Sequence, residues 1–201
     1  SVISIHLSKK LSGTFQSAQT ATMRVPESST TLIDSLSASV AQGLIVMYAG
    51  ALADKGIPHD DIVQKINNII PKTTVYLAIY DLTYPVRGGR LKKSVKMIAD
   101  LLRIRPVLTT KDGVIDKAGI LIGTKNLERK FAFFIRKKLD KNKYYRVQIG
   151  HCNNPEGANL LKLSLADFTN IKYTYVIEMG CALGVHAGPG SMSLGVQEIP
   201  N

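Results

Sequence analysis

The sequence has few cysteines, few acids and no long apolar run, and each shortage narrows what the chain can be. Cys152 and Cys181 are its two cysteines in 201 residues. They stand too far apart for a CxxC motif and are too few for a disulfide scaffold, so they read as free thiols near strand ends. The longest strongly apolar run, residues 43 to 53, falls well short of the roughly 20 residues a membrane span needs, and Lys55 follows it. Neither a basic n-region nor a small-residue cleavage site is visible at the start, so no signal peptide is expected and the cytoplasm is the expected location. The sequence also lacks a GxxxxGK[ST] phosphate cradle, a GxSxG nucleophile elbow, an RNP or helix-turn-helix pattern, and zinc-ligand spacing. No metal and no cofactor is expected.

Acids number 15 against 26 lysines and arginines, a net +11. The excess is confined to two stretches. Arg87 to Arg105 holds seven basic residues and one acid, and Lys125 to Arg146 holds nine and two. Together they carry +13, which leaves −2 for everything else, so the chain has two basic surfaces rather than a uniform basic character. A hydrophobic content of 45% with 20% charged residues then describes a globular protein with a substantial core.

Periodicity sorts the chain into two parts. Residues 2–7 and 31–34 read as strands, with helices at 14–24 and 37–55 and a third beginning at 58–61 with Ile62, Ile66, Ile69 and Ile70 as its stripe. Alternation of strand and helix implies a parallel sheet covered by helices. Six further strands follow at 74–80, 104–110, 114–122, 144–151, 172–178 and 194–199, interrupted by helices at 92–102, 125–141 and 155–167. Lys111-Asp112-Gly113 is a hairpin signal, so this second sheet is at least partly antiparallel. The expected architecture is α/β in two lobes, residues 1–72 with a parallel sheet and residues 73–201 with a mostly antiparallel six-stranded sheet. Pro85 to Gly89 is an alternative hinge.

Two loops carry candidate chemistry. Ser12-Gly13-Thr14 lies between a strand and a helix, where free N–H groups and two hydroxyls suit a carboxylate or phosphate. Taken alone, Ser12 reads better as a helix cap. His186-Ala187-Gly188-Pro189-Gly190 reads as a tight loop fixing one imidazole. Arg87-Gly88-Gly89-Arg90 offers glycines for close approach and guanidinium donors for an anionic oxygen, ahead of a helix with Leu91, Val95, Ile98 and Leu102 on one face. Two other readings stay open: a polyanion or nucleic-acid module on the basic stretches, and a Ser12–His186 ester hydrolase completed by Asp34, Asp81 or Asp112.

Five segments taken in order resemble the DegV family: SKKLSGTFQSAQ at 8–19, IDSLSASVAQG at 33–43, DLTYPVRGGRL at 81–91, LLRIRPVLTTKDG at 101–113 and GVHAGPGSMSLG at 184–195. The resemblance implies a non-enzymatic carrier holding a long-chain fatty acid in a tunnel between the lobes. Ser12, Gly13 and Thr14 would hold the carboxylate, with His186 and Arg90 in the polar network around it. It also implies an ATP-dependent fatty acid kinase as partner, docked near Arg87, Lys92 and Lys93, with acyl-phosphate passing to phospholipid synthesis. A transient contact with an anionic membrane surface fits the basic segments, and no nucleic acid is expected. The family pattern begins with a further strand-helix unit, which brings another hydroxyl to the carboxylate. This sequence starts after that unit, and it has Pro85-Val86 where the family often has Leu.

Overall fold

A computed structural model describes residues 1–25, 30–102, 104–123 and 125–200; the side chains of Val95, Ile98, Asp100 and Tyr173 also lie outside the description, as does Arg103 of the first basic stretch. Strand β1 (Val2–His6) and β2 (Thr30–Asp34) pair in parallel, Val2 opposite Thr30 and His6 opposite Asp34. Helix α1 (Thr14–Thr22) lies between them in sequence, as a parallel pair requires. Helices α2 (Ser39–Ala53) and α3 (His59–Ile69) follow. Asp60 and Asp61 occupy the first turn of α3, where negative charge complements the helix dipole, and Ile62, Ile66 and Ile69 bury against Ile33, Ile45 and Ala49.

After a 3₁₀ turn at Ile70–Lys72 come β3 (Thr73–Ala78), β4 (Ile104–Lys111), β5 (Val114–Ile122), β6 (Tyr145–His151), β7 (Ile171–Glu178) and β8 (Met192–Glu198). They form one sheet in the order β5-β4-β3-β8-β6-β7, antiparallel throughout except for β6–β7. Both expected sheets are therefore present. Asp112 and Gly113 make the β4–β5 turn with φ of 51° and 80°, the double positive φ that an Asp-Gly hairpin supplies.

The two faces of this sheet are covered differently. Helices α6 (Leu127–Arg136) and α7 (Pro155–Leu165) cover one face, packing Phe131, Ile135 and Leu161 on Val147, Ile149 and Leu194. Full burial of each such side chain contributes about 1.5–3 kcal/mol. The Asn154 side chain caps α7 by accepting from the Gly157 N–H at 3.0 Å, with Pro155 in the first turn. Helix α2 lies on the other face, with Val40 and Ala41 against Val75. There β8 and β6 carry small residues. A methyl on Gly195 would come 2.9 Å from the Ala41 backbone nitrogen, and one on Gly150 would come 2.8 Å from Val40. The helix is apolar on most sides because it is packed on both: Ile45 and Ala49 face α3 and β2, and Val40 and Ala41 face the large sheet.

Three short helices complete the chain: α4 (Thr83–Arg87), α5 (Lys93–Leu101) and α8 (Cys181–Ala187). Helix α4 stands where the sequence offered a hinge. Pro85 is tolerated because a first-turn N–H has no helical acceptor. The Asp81 carboxylate accepts the Thr83 N–H at 2.8 Å and fixes the start of the helix. On α5, Ala99 is buried and Leu91 packs beside it, whereas Leu102 is exposed; Val95 and Ile98 of the expected stripe lie outside the described side chains. No helix among the described residues is long and apolar enough to cross a membrane.

Candidate functional site

Between the two sheets lies a cavity of about 500 Å³, within the range of small-molecule sites. Its walls are mostly apolar. Leu7 and Leu11 come from the segment after β1, Val40 from α2, Leu77 and Leu108 from β3 and β4, and Met179 from the end of β7. Ser12, Thr14, Arg90 and His186 all line it, although 174 positions separate Ser12 from His186. Gly13 is the N-cap of α1 and is not part of the lining. Arg87, Lys92 and Lys93 are exposed and outside it.

Each lining polar group has a local setting. The Ser12 hydroxyl accepts the Thr14 N–H at 3.3 Å and shares a hydrogen bond of 2.7 Å with the Thr14 hydroxyl. Ser12 thus makes a tight turn one residue ahead of the N-cap Gly13 instead of capping α1 as expected, and its side of the turn lines the cavity. Arg90 Nη1 donates to the Gly88 carbonyl at 2.6 Å. His186 is not in a loop as the glycines implied. It belongs to the last turn of α8, and the left-handed turn begins at Gly188, with φ of 78°. Gly188 ends the helix because a residue without Cβ adopts that conformation freely.

Gly88 after α4 and Gly188 after α8 serve contacts inside the chain. A methyl on Gly88 would overlap His186 Nδ1, and one on Gly188 would overlap the Tyr84 ring. The two helix ends therefore interlock.

Ser39, Gln42 and Thr110 also line the cavity and were not singled out by sequence. Ser39 has φ of 57° at the first position of α2, an uncommon conformation for a residue with a side chain. Its hydroxyl meets that of Ser193 at 3.1 Å. Nothing in Leu-Ser-Ala-Ser forecasts a positive φ at that serine. Near the β4–β5 turn, the Ser8 hydroxyl donates to the Gly113 carbonyl at 2.7 Å and Lys10 Nζ donates to the Asp112 carbonyl at 2.9 Å. The segment after β1 is thereby tied to the large sheet beside Thr110 and Ile115, which line the cavity.

The hydrolase arrangement is not assembled. His186 Nδ1 is buried against Gly88 without a hydrogen-bond partner among the described residues, while Asp34 and Asp81 each accept a nearby backbone N–H. Hydrogen bonds from the Thr83 side chain and backbone hold the Asp81 carboxyl below its usual range, and burial raises the Tyr80 phenol well above its own. No cluster of three metal-ligating side chains occurs among the described residues. A second hollow of about 590 Å³ runs along β1, α2 and α3 past Ile3, Val46 and Ala49, and includes none of the expected site residues.

Residues 1–198 match the model of the DegV family, a family described as uncharacterised proteins. The chain belongs to the DegV family. A DegV domain-containing protein of Clostridium perfringens is 30% identical over 198 residues, which make up 98% of this chain and 70% of that protein. A DegV family protein of Thermus thermophilus, solved as a fatty acid binder, superposes with a TM-score of 0.85 at 27% identity, covering 98% of this chain and 70% of the other. DegV of Bacillus subtilis, a fatty acid binding protein, superposes at 0.79 with 26% identity and the same coverage. These DegV structures carry the fold found here, and both proteins bind fatty acids.

Proposed function

We propose that this chain binds a long-chain fatty acid in the cavity between its sheets, with the acyl chain among the leucines and the carboxylate beside Ser12 and His186. One observation carries the reading: a single apolar cavity brings Ser12, Thr14, Arg90 and His186 together from distant parts of the sequence. Hydroxyls, an imidazole and a guanidinium supply the donors that a carboxylate needs. Burying a long acyl chain at roughly 0.8 kcal/mol per CH₂ gives on the order of 10 kcal/mol before ordering costs. Residues 1–72 and 73–201 are then the two walls of a ligand tunnel.

The carrier presents the exposed acid to an ATP-dependent fatty acid kinase in the cytoplasm and performs no catalysis itself. Arg87, Lys92 and Lys93 are the exposed cations through which an acidic partner surface would dock, and an anionic membrane is a transient second contact. The polyanion and hydrolase readings have no comparable site to support them.

Mass spectrometry of an organic extract from the purified protein tests the reading. A fatty acid at near one equivalent is expected in the extract, with a reduced amount after Ser12→Ala. Protein that carries no fatty acid and takes up none when titrated with oleic acid rules the reading out.

A further inference from the structure

We infer that Gly88 is a positioning residue that sets the His186 imidazole and the Arg90 guanidinium side by side at the cavity mouth; the inference rests on the carboxylate reading of that mouth. Gly88 ends α4 with φ of −73° and ψ of −2°, a conformation open to any L-residue. Its need for glycine is therefore not conformational. Gly89 next to it has φ of 71°, and a methyl there would meet nothing within 4 Å. At Gly88 the added methyl would fall on His186 Nδ1. The carbonyl of the same residue holds Arg90 Nη1 at 2.6 Å. One residue thus touches both candidate donors, through its Cα on one side and its oxygen on the other.

Histidine rings are commonly oriented by a hydrogen bond at the nitrogen away from the ligand. Here Nδ1 is buried and has no hydrogen-bond partner among the described residues. Packing against the bare Cα of Gly88 fixes the ring instead. The reciprocal contact, Tyr84 on Gly188, keeps α4 and α8 from sliding apart. Moving Gly88 would therefore shift both groups together, and a carboxylate hydrogen-bonded by both would lose the pair.

The test uses the full chain, oleic acid as ligand and oleyl alcohol as a chain-matched control without the carboxylate. Gly88→Ala is expected to weaken oleic acid binding about tenfold, the scale of one hydrogen bond to a charged group. Oleyl alcohol binding should stay within about twofold, and in a His186→Ala background the Gly88→Ala change should alter oleic acid affinity by less than about twofold. The imidazole NMR resonances of His186 should move in Gly88→Ala and hold in Gly50→Ala, where the added methyl meets nothing within 4 Å. Equal losses for acid and alcohol, or an undiminished loss in the His186→Ala background, would overturn the inference. If Gly88→Ala is too unstable to titrate, the double variant should regain Tm because the alanine then has room; no gain would equally overturn it. A parent protein that binds neither ligand defeats the fatty-acid reading, and the NMR shift still decides the contact between Gly88 and His186.

Discussion

On one face of the six-stranded sheet Val147, Ile149 and Leu194 meet Phe131, Ile135 and Leu161 from two helices. On the other, Gly150, Ser193 and Gly195 meet α2, and the sheet continues past that helix into the cavity wall at Leu77 and Leu108. Large side chains fill the first face completely. The second has small residues where a helix backbone must come close, and beside α2 it is covered only in part, by Ala99 of α5 and Leu82 against Leu108, with the cavity between. A site for an apolar ligand arises where a sheet face is apolar but incompletely covered by its own chain.

Truncation on the filled face should give the largest effect on stability: Phe131→Ala is expected to cost about 3–5 kcal/mol in urea denaturation while leaving ligand stoichiometry unchanged. Loss of binding without loss of stability would mean that the two faces are not separate. Gly195→Ala tests how closely α2 is seated. Its methyl meets a backbone nitrogen that cannot rotate away, so a loss of about 1–3 kcal/mol is expected. An unchanged denaturation midpoint would contradict the close approach.

Filling the open face should have the opposite balance. Leu77→Phe is expected to change stability by less than about 1.5 kcal/mol and to shift the extracted fatty acids toward shorter chains. A chain-length profile identical to the parent's would place the acyl chain elsewhere. The smallest expected effect lies at the turn before α4. The Asp81 carboxyl is lowered by its hydrogen bonds from Thr83, so the folded state binds its proton less readily than the unfolded one. Its stabilisation is therefore fully present above the ordinary carboxylate value and lost as pH falls from there through the lower value of the folded state. The residue is exposed, so Asp81→Asn should cost no more than a few tenths of a kcal/mol near neutrality, with the gap from the parent closing in acid.

The elements were legible where a residue type and a backbone requirement coincide. Asp112-Gly113 announces a hairpin because both positions need positive φ, and the isoleucines of α3 announce a buried face. Short helices were less legible. Pro85 sits in a short helix that no pattern announced, and Gly188-Pro189-Gly190 drew His186 into a loop although α8 ends only after Ala187. Of the cavity lining, Ser12, Thr14, Arg90 and His186 were singled out by their motifs, yet the reason for the glycines was not. Close approach to a partner was the expectation at Gly88, and the group it approaches belongs to the same chain, 98 positions away. Ser39 escaped because its strain follows from how α2 enters between two sheets, which no local pattern records.

The tie between the segment after β1 and the β4–β5 turn is made to two carbonyl oxygens, those of Asp112 and Gly113. Any residue at 112 that tolerates a left-handed backbone keeps its oxygen in place, so asparagine is interchangeable with aspartate there. Gly113 has no such freedom, since a methyl would crowd the Ser8 hydroxyl. The hairpin tip can therefore change its charge while its glycine is held in place, and such a change at this edge need not disturb the cavity wall beside it.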